Sequence, residues 1–220
     1  MQSSSPSRTA LRVALRRAAH QLYDARPLVF DDPVAVPMLG DAYAEELRRT
    51  PTRFDRPFSF GLRAFLVARS RYAEDTLAQA VARGVTQYVL LGAGLDTFAY
   101  RNPYPQVHVF EVDHPATQQW KRDLLQTSKL RTPENLTYTA VDFERESLPV
   151  RLQATGFDTN APAFFAWLGV VPYLTLPAFR STISFISSQP VRVIVSVIVL
   201  AQYGLPFLEQ VQHSLILFQF

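Results

Sequence analysis

The segment Gln87-Tyr-Val-Leu-Leu-Gly-Ala-Gly-Leu-Asp-Thr-Phe-Ala-Tyr-Arg101 joins an uninterrupted apolar run to a Gly-x-Gly, with an acid two residues further on. Tyr88 to Leu91 suits a strand covered on both faces of a parallel sheet. Gly92 and Gly94 permit backbone angles and close approaches that a Cβ forbids. Turns that bind pyrophosphate read Gly-x-Gly-x-x-Gly and offer backbone N–H groups to a dianion. Here the third position is Thr97 and the loop carries Asp96. A carboxylate at that place repels phosphate and favours a ligand with positive charge, such as the ammonium or sulfonium of S-adenosylmethionine.

A second acid supports this reading. Gln106-Val-His-Val-Phe-Glu-Val-Asp113 reads as the next strand, and Asp113 at its carboxyl end stands 21 positions after Gly92. That is close to the roughly 20-residue separation at which Rossmann-type folds set a carboxylate against a ribose diol. Glu111 shares the face of Asp113 one pleat deeper, which makes it the weaker candidate. Asp113 or His114 also qualifies as the N-cap of a helix opening near Pro115.

Leu91-Gly-Ala-Gly-Leu-Asp-Thr97, Tyr100-Arg101 and Phe110-Glu-Val-Asp-His-Pro115 together resemble the leucine carboxyl methyltransferase family, and within it the bacterial, actinobacterial-type branch of S-adenosylmethionine-dependent methyltransferases. The likeness extends to Arg69-Ser-Arg-Tyr-Ala-Glu-Asp75, Ala140-Val-Asp-Phe143 and Trp167-Leu-Gly-Val-Val-Pro-Tyr-Leu174, over about residues 10 to 190. It implies that Asp142 accepts from the adenine amino group while Phe143 covers the ring. A turn acid and a core phenylalanine are the structural alternatives. It also implies an arginine that grips the cofactor's methionine carboxylate. Arg69 fits that pattern better than Arg71, and Arg16 and Arg17 are weaker candidates for a second basic residue. The resemblance places an acid where Leu168 stands, so Trp167 is free either to face the adenosyl group or to join the core. Cofactor binding is therefore expected from Arg69, Gly92, Gly94, Asp96, Asp113, Asp142 and Phe143.

Methyl transfer from a sulfonium needs proximity and orientation more than a covalent nucleophile. A carboxylate acceptor is already ionised at neutral pH and needs no base. A hydroxyl acceptor would call on His114 or Tyr173, the only weak catalytic candidates. The expected activity is O-methylation of a carboxylate or hydroxyl on a small molecule or peptide terminus. Two other readings stand beside it: a cofactor-binding homologue with impaired catalysis, and a nicotinamide-dependent oxidoreductase, which Asp96 and Thr97 disfavour.

The elements that must position these residues alternate. Strands are expected near 88–92, 107–112, 136–141, 163–169 and 191–200, and helices near 115–129, 145–155 and 176–188. Residues 1–85 form a helical preface with helices at 9–25, up to about Arg49, and at 61–83, the stretch from Pro51 to Pro57 being a loop. The fold expected is α/β, a Rossmann-like doubly wound parallel sheet over 86–200 with an N-terminal helical extension. The tail of 201–220 is short and atypical, with a helix-like piece at Pro206 to Gln212 and an apolar run at Leu215 to Phe220, so the C-terminal strands of the family are expected to be missing.

Composition narrows the remaining classes. The 220 residues, 48% of them hydrophobic, suffice for one substantial core. A net charge of +3 with dispersed basic residues argues against nucleic acid. The chain has no cysteine and its four histidines show no ligand spacing, so no metal is expected. Arg8, Arg12 and Arg16 lie on one face of an alanine-rich first helix, whose lack of large anchors favours packing on its own domain over a membrane. The N-terminus lacks a signal-peptide core, which points to the cytoplasm.

Overall fold

The structure is a computed structural model that describes residues 6–50, 56–189 and 193–198. Five strands, β1 (Gln87–Leu91), β2 (His108–Asp113), β3 (Leu136–Ala140), β4 (Ala163–Leu168) and β5 (Val193–Ile198), form one sheet of order β3-β2-β1-β4-β5. Every pairing is parallel, with Leu91 opposite Val112 on one side and Trp167 on the other. The chain reverses direction across the sheet between β1 and β4, the crevice where open parallel sheets bind ligands. Both faces are covered, as the unbroken apolar run of β1 requires.

Six helices surround the sheet among the described residues: α1 (Arg8–Tyr23), α2 (Gly40–Arg49), α3 (Pro57–Ala82), α4 (Pro115–Thr127), α5 (Leu148–Ala154) and α6 (Leu176–Ser187). Val89, Leu91, Phe110, Val112, Phe165 and Trp167 pack against Leu148 and Leu152 of α5 and Phe179 and Phe185 of α6. On the opposite face Tyr88, Leu90, Val109 and Phe164 meet Leu77 and Ala80 of α3. The preface has its own cluster, in which Ala14, Ala18 and Ala19 of α1 join Met38, Leu39 and Leu47 and reach Leu95 of the β1 turn and Leu125 of α4. The small side chains of α1 thus serve close helix packing, in keeping with its expected place on the protein itself. Among the described residues no helix is long and apolar enough to cross a membrane.

One boundary differs from the expectation. Residues 57–60, expected to lie in a loop and its margin, are the first turn of α3, because Pro57 sits at its N-terminal position, where its missing N–H costs nothing and its fixed φ favours the helix. The expected tail elements, Pro206 to Gln212 and Leu215 to Phe220, lie outside the described residues.

Candidate functional site

The carboxyl ends of β1 to β4 open into a cavity of about 950 Å³, closed on its other side by α1 and the first half of α3. Arg69, Gly92, Gly94, Asp96, Asp113, His114, Asp142, Phe143 and Tyr173 all line it. The sheet brings them together because parallel strands deliver their carboxyl ends to one edge.

The turn after β1 is built by its two glycines, though what approaches them is protein. Gly92 (φ 67°) and Gly94 (φ 53°) occupy left-handed backbone that L side chains rarely adopt. A Cβ on Gly92 would overlap the side chain of Val170, and one on Gly94 would stand 3.1 Å from Cβ of Ala10 in α1. The space expected for a ligand at these Cβ positions is thus taken by Val170 and by α1. The Gly94 N–H, in turn, donates to Asp113 Oδ2 at 2.6 Å, while Oδ1 of Asp113 accepts from the His114 N–H at 2.7 Å. Burial raises the Asp113 carboxyl above its ordinary range against these two N–H groups, which favour its ionised form. His114 caps α4, its Nδ1 accepting from the Ala116 N–H at 3.2 Å. Glu111, one pleat below, is buried and pairs with Lys121 Nζ at 2.6 Å, and Lys121 also donates to the carbonyl of Asp96 at 2.6 Å.

Asp96 faces the cavity but does not stand alone. Its Oδ2 accepts from Arg17 Nη1 at 2.7 Å and its Oδ1 from the Phe98 N–H at 2.8 Å. Burial would raise its pKa, but Arg17, Lys121 and the Phe98 N–H outweigh it and hold the carboxyl at about 2. Arg17 extends this into a network that sequence reading did not find. Its Nη2 donates to Asp32 and to the Thr97 hydroxyl, both at 2.7 Å, and Arg101 joins Asp32 at 3.1 Å and pairs with Glu74. The weak candidate Arg17 is therefore spent on fixing the turn. Its partners lie up to 80 positions away, beyond any local motif.

Arg69 is the opposite case. It is only 8% exposed, makes no ion pair among the described residues, and leaves its Nε without a hydrogen-bond partner. Burial, with a smaller push from Arg17, pulls its pKa down to about 10 in spite of Asp96. A buried guanidinium that faces a cavity and is unpaired among the described residues has the charge and geometry to receive a carboxylate. Arg71, the alternative, is exposed and pairs with Asp75.

Beyond β3, Asp142 Oδ1 accepts from the Glu144 N–H at 3.0 Å. Phe143 lines the cavity and its ring lies roughly parallel to that of Trp167, at 6.5 Å between centroids. Trp167 itself is fully buried between Phe143 and Phe179, so of its two readings the core one holds. Leu168 does line the cavity, and Tyr173, 48% exposed, sets its hydroxyl 3.3 Å from that of Thr9. The arrangement suits a ligand with a carboxylate for Arg69, hydroxyls for Asp113 and a flat ring against Phe143. S-adenosylmethionine has these parts.

Comparison with known proteins agrees with this geometry. A family model described as leucine carboxyl methyltransferase matches residues 10–187. YktD of Bacillus subtilis, named for S-adenosyl-L-methionine-dependent methyltransferases, is 35% identical over 211 residues, covering 86% of this chain and 69% of the relative. A protein of Mycobacteroides abscessus with the same description is 36% identical over 168 residues, covering 76% of this chain but 55% of the relative. A solved methyltransferase structure from Thermobifida fusca, 17% identical, superposes with a TM-score of 0.52 over 96% of this chain and 73% of its own, a likeness of fold. The sheet order, the turn after β1 and the extent of the family match lead to one assignment: this chain belongs to the leucine carboxyl methyltransferase family, which is one of Rossmann-like, S-adenosyl-L-methionine-dependent methyltransferases.

Proposed function

We propose that this chain binds S-adenosyl-L-methionine in the cavity at the sheet edge and methylates an oxygen of a carboxylate or hydroxyl on a small molecule or a peptide terminus. The observation that carries the reading is Arg69, a buried cation with no counter-ion among the described residues, in the same cavity as the Gly92–Asp96 turn, Asp113 and Phe143. When bound, the cofactor supplies a methyl group on a positively charged sulfur.

The residues of the chain then have separate tasks. Arg69 holds the methionine carboxylate, Asp113 accepts from the ribose hydroxyls, Asp142 accepts from the adenine amino group and Phe143 covers the ring. Asp96 contributes negative potential near the ammonium and sulfonium, moderated by Arg17. The state of the bases favours a carboxylate acceptor. Asp96, Asp113 and Asp142 already accept hydrogen bonds, Glu144 is engaged by Thr175, and Nδ1 of His114 caps α4. A carboxylate arrives without a proton to remove, so Tyr173 need only orient it.

The test is calorimetric titration of the whole chain with S-adenosylmethionine and, in parallel, with NAD. Binding of the first and not the second is expected, and the reverse would refute the assignment.

A further inference from the structure

The cavity is divided by charge in a way that a cofactor alone does not require. Its acids, Asp96, Asp113, Asp142 and Glu144, come from the carboxyl edge of the sheet, and its arginines come from α1 and α3. Between those arginines the wall is apolar, formed by Val13 of α1 and Phe58, Leu62 and Phe65 of α3. Phe58 is 79% exposed at the start of α3. With Val13, Leu62 and Phe65 it gives this side of the cavity an apolar lining, which suits an apolar ligand. Arg8 and Arg12 stand one turn apart on α1, line the same space, and make no ion pair among the described residues. At about 950 Å³ the cavity reaches the upper end of single-ligand pockets, roughly 300–1,000 Å³, and so has room for a second ligand beside a cofactor.

We propose that the α1–α3 side takes the methyl acceptor and that this acceptor is a monocarboxylate with an extended apolar tail, the size of a medium-chain fatty acid. The proposal rests on assigning the sheet edge to S-adenosylmethionine. The tail lies along Val13, Leu62 and Phe65 and leaves past Phe58, while the carboxylate stays within the positive field of the arginines. A small hydrophilic acid would not need the aromatic wall, and a cationic amphiphile would be repelled by α1. The chemistry balances without a base: a carboxylate oxygen forms the new C–O bond to the methyl carbon as the C–S bond breaks, the electron pair passes to sulfur, and no proton moves.

The experiment is calorimetric titration of the full chain with butyrate, octanoate and octyltrimethylammonium, each with and without saturating S-adenosylhomocysteine. Octanoate is expected to bind more tightly than butyrate by about threefold per added methylene, roughly eightyfold over the four, and octyltrimethylammonium not to bind. Phe58→Ser and Arg12→Glu, both at exposed positions where folding is not at stake, should each weaken octanoate about fivefold or more and leave S-adenosylhomocysteine binding unchanged. Butyrate binding as well as octanoate, the cation binding as well as the acid, or Phe58→Ser without effect would overturn the proposal. Binding of both ligands with no methyl octanoate formed from S-adenosylmethionine would overturn the acceptor role. If S-adenosylhomocysteine fails to bind while octanoate keeps its chain-length dependence, the acid site stands and only the cofactor assignment falls.

Discussion

Replacing Arg69 by methionine should make the ligand-free protein more stable and its complex weaker. Methionine keeps much of the unbranched side chain and removes the charge. The environment pulls the Arg69 pKa from 12.5 down to about 10, a difference of about two and a half units. A guanidinium keeps its proton at neutral pH, so the shift measures the free energy of holding the charge there, about 3 kcal/mol at ~1.4 kcal/mol per unit. With the group only 8% exposed, solvent screening removes little of this. Arg69→Met should therefore raise the melting temperature without ligand, by about 2–4 °C for each kcal/mol recovered. It should also lose the charge-assisted bonds to the methionine carboxylate, at about 1.5–3 kcal/mol each, and so weaken S-adenosylmethionine by roughly a hundredfold. At a ligand concentration a hundred times the parent's Kd, the parent gains about 2.7 kcal/mol and the variant only about 0.4 kcal/mol, so the variant's lead of about 3 kcal/mol shrinks to under about 1 kcal/mol. Differential scanning fluorimetry with and without cofactor reads both effects. A ligand-free variant that melts below the parent would mean the guanidinium already has its counter-charge in the fold, and an unchanged cofactor shift would remove Arg69 from the site.

Asp113→Ala should weaken S-adenosylmethionine by about 1–3 kcal/mol in calorimetry, and unchanged affinity in a folded variant would refute the ribose assignment. Gly94→Val should lower both the melting temperature and cofactor affinity, because a branched side chain at φ 53° is strained by at least about 1–2 kcal/mol and meets Ala10 of α1; a variant melting with the parent would show that the turn relaxes freely. Asp96 has a folded pKa of about 2, below its unfolded value of 3.8, so its contribution of roughly 2 kcal/mol is present above pH 4 and is lost as pH falls towards 2. The stability gap between the parent and Asp96→Asn, measured by urea melts, should accordingly narrow between pH 6 and pH 3, and a constant gap would mean that the pairing with Arg17 does not depress the carboxyl.

The helices and strands of the core were legible because their signals are local. An unbroken apolar run, a Gly-x-Gly and an acid at a strand end are fixed by neighbours in the chain, and a parallel sheet can then bring such strand ends only to one edge. That is why Gly92, Gly94, Asp113, Asp142 and Phe143 could be named together before any contact was known. Proline at the start of α3 is equally local: Pro57 closes a stretch, Pro51 to Pro57, that reads as a loop, yet the same residue opens the helix at its first position. What tertiary structure alone decided is which charges are spent and which remain available. Arg17 and Arg69 are both arginines on preface helices, yet Arg17 meets Asp96, Asp32 and Thr97 from distant parts of the chain, and Arg69 meets no carboxylate among the described residues. Likewise Trp167 and Phe143 are both aromatic residues near strand ends, but only the packing of α6 puts Trp167 beneath and leaves Phe143 facing the cavity. Sequence determines residue type and local periodicity; the pairing of charges depends on distances between segments far apart in the chain, and those exist only once the helices of the preface are packed on the sheet.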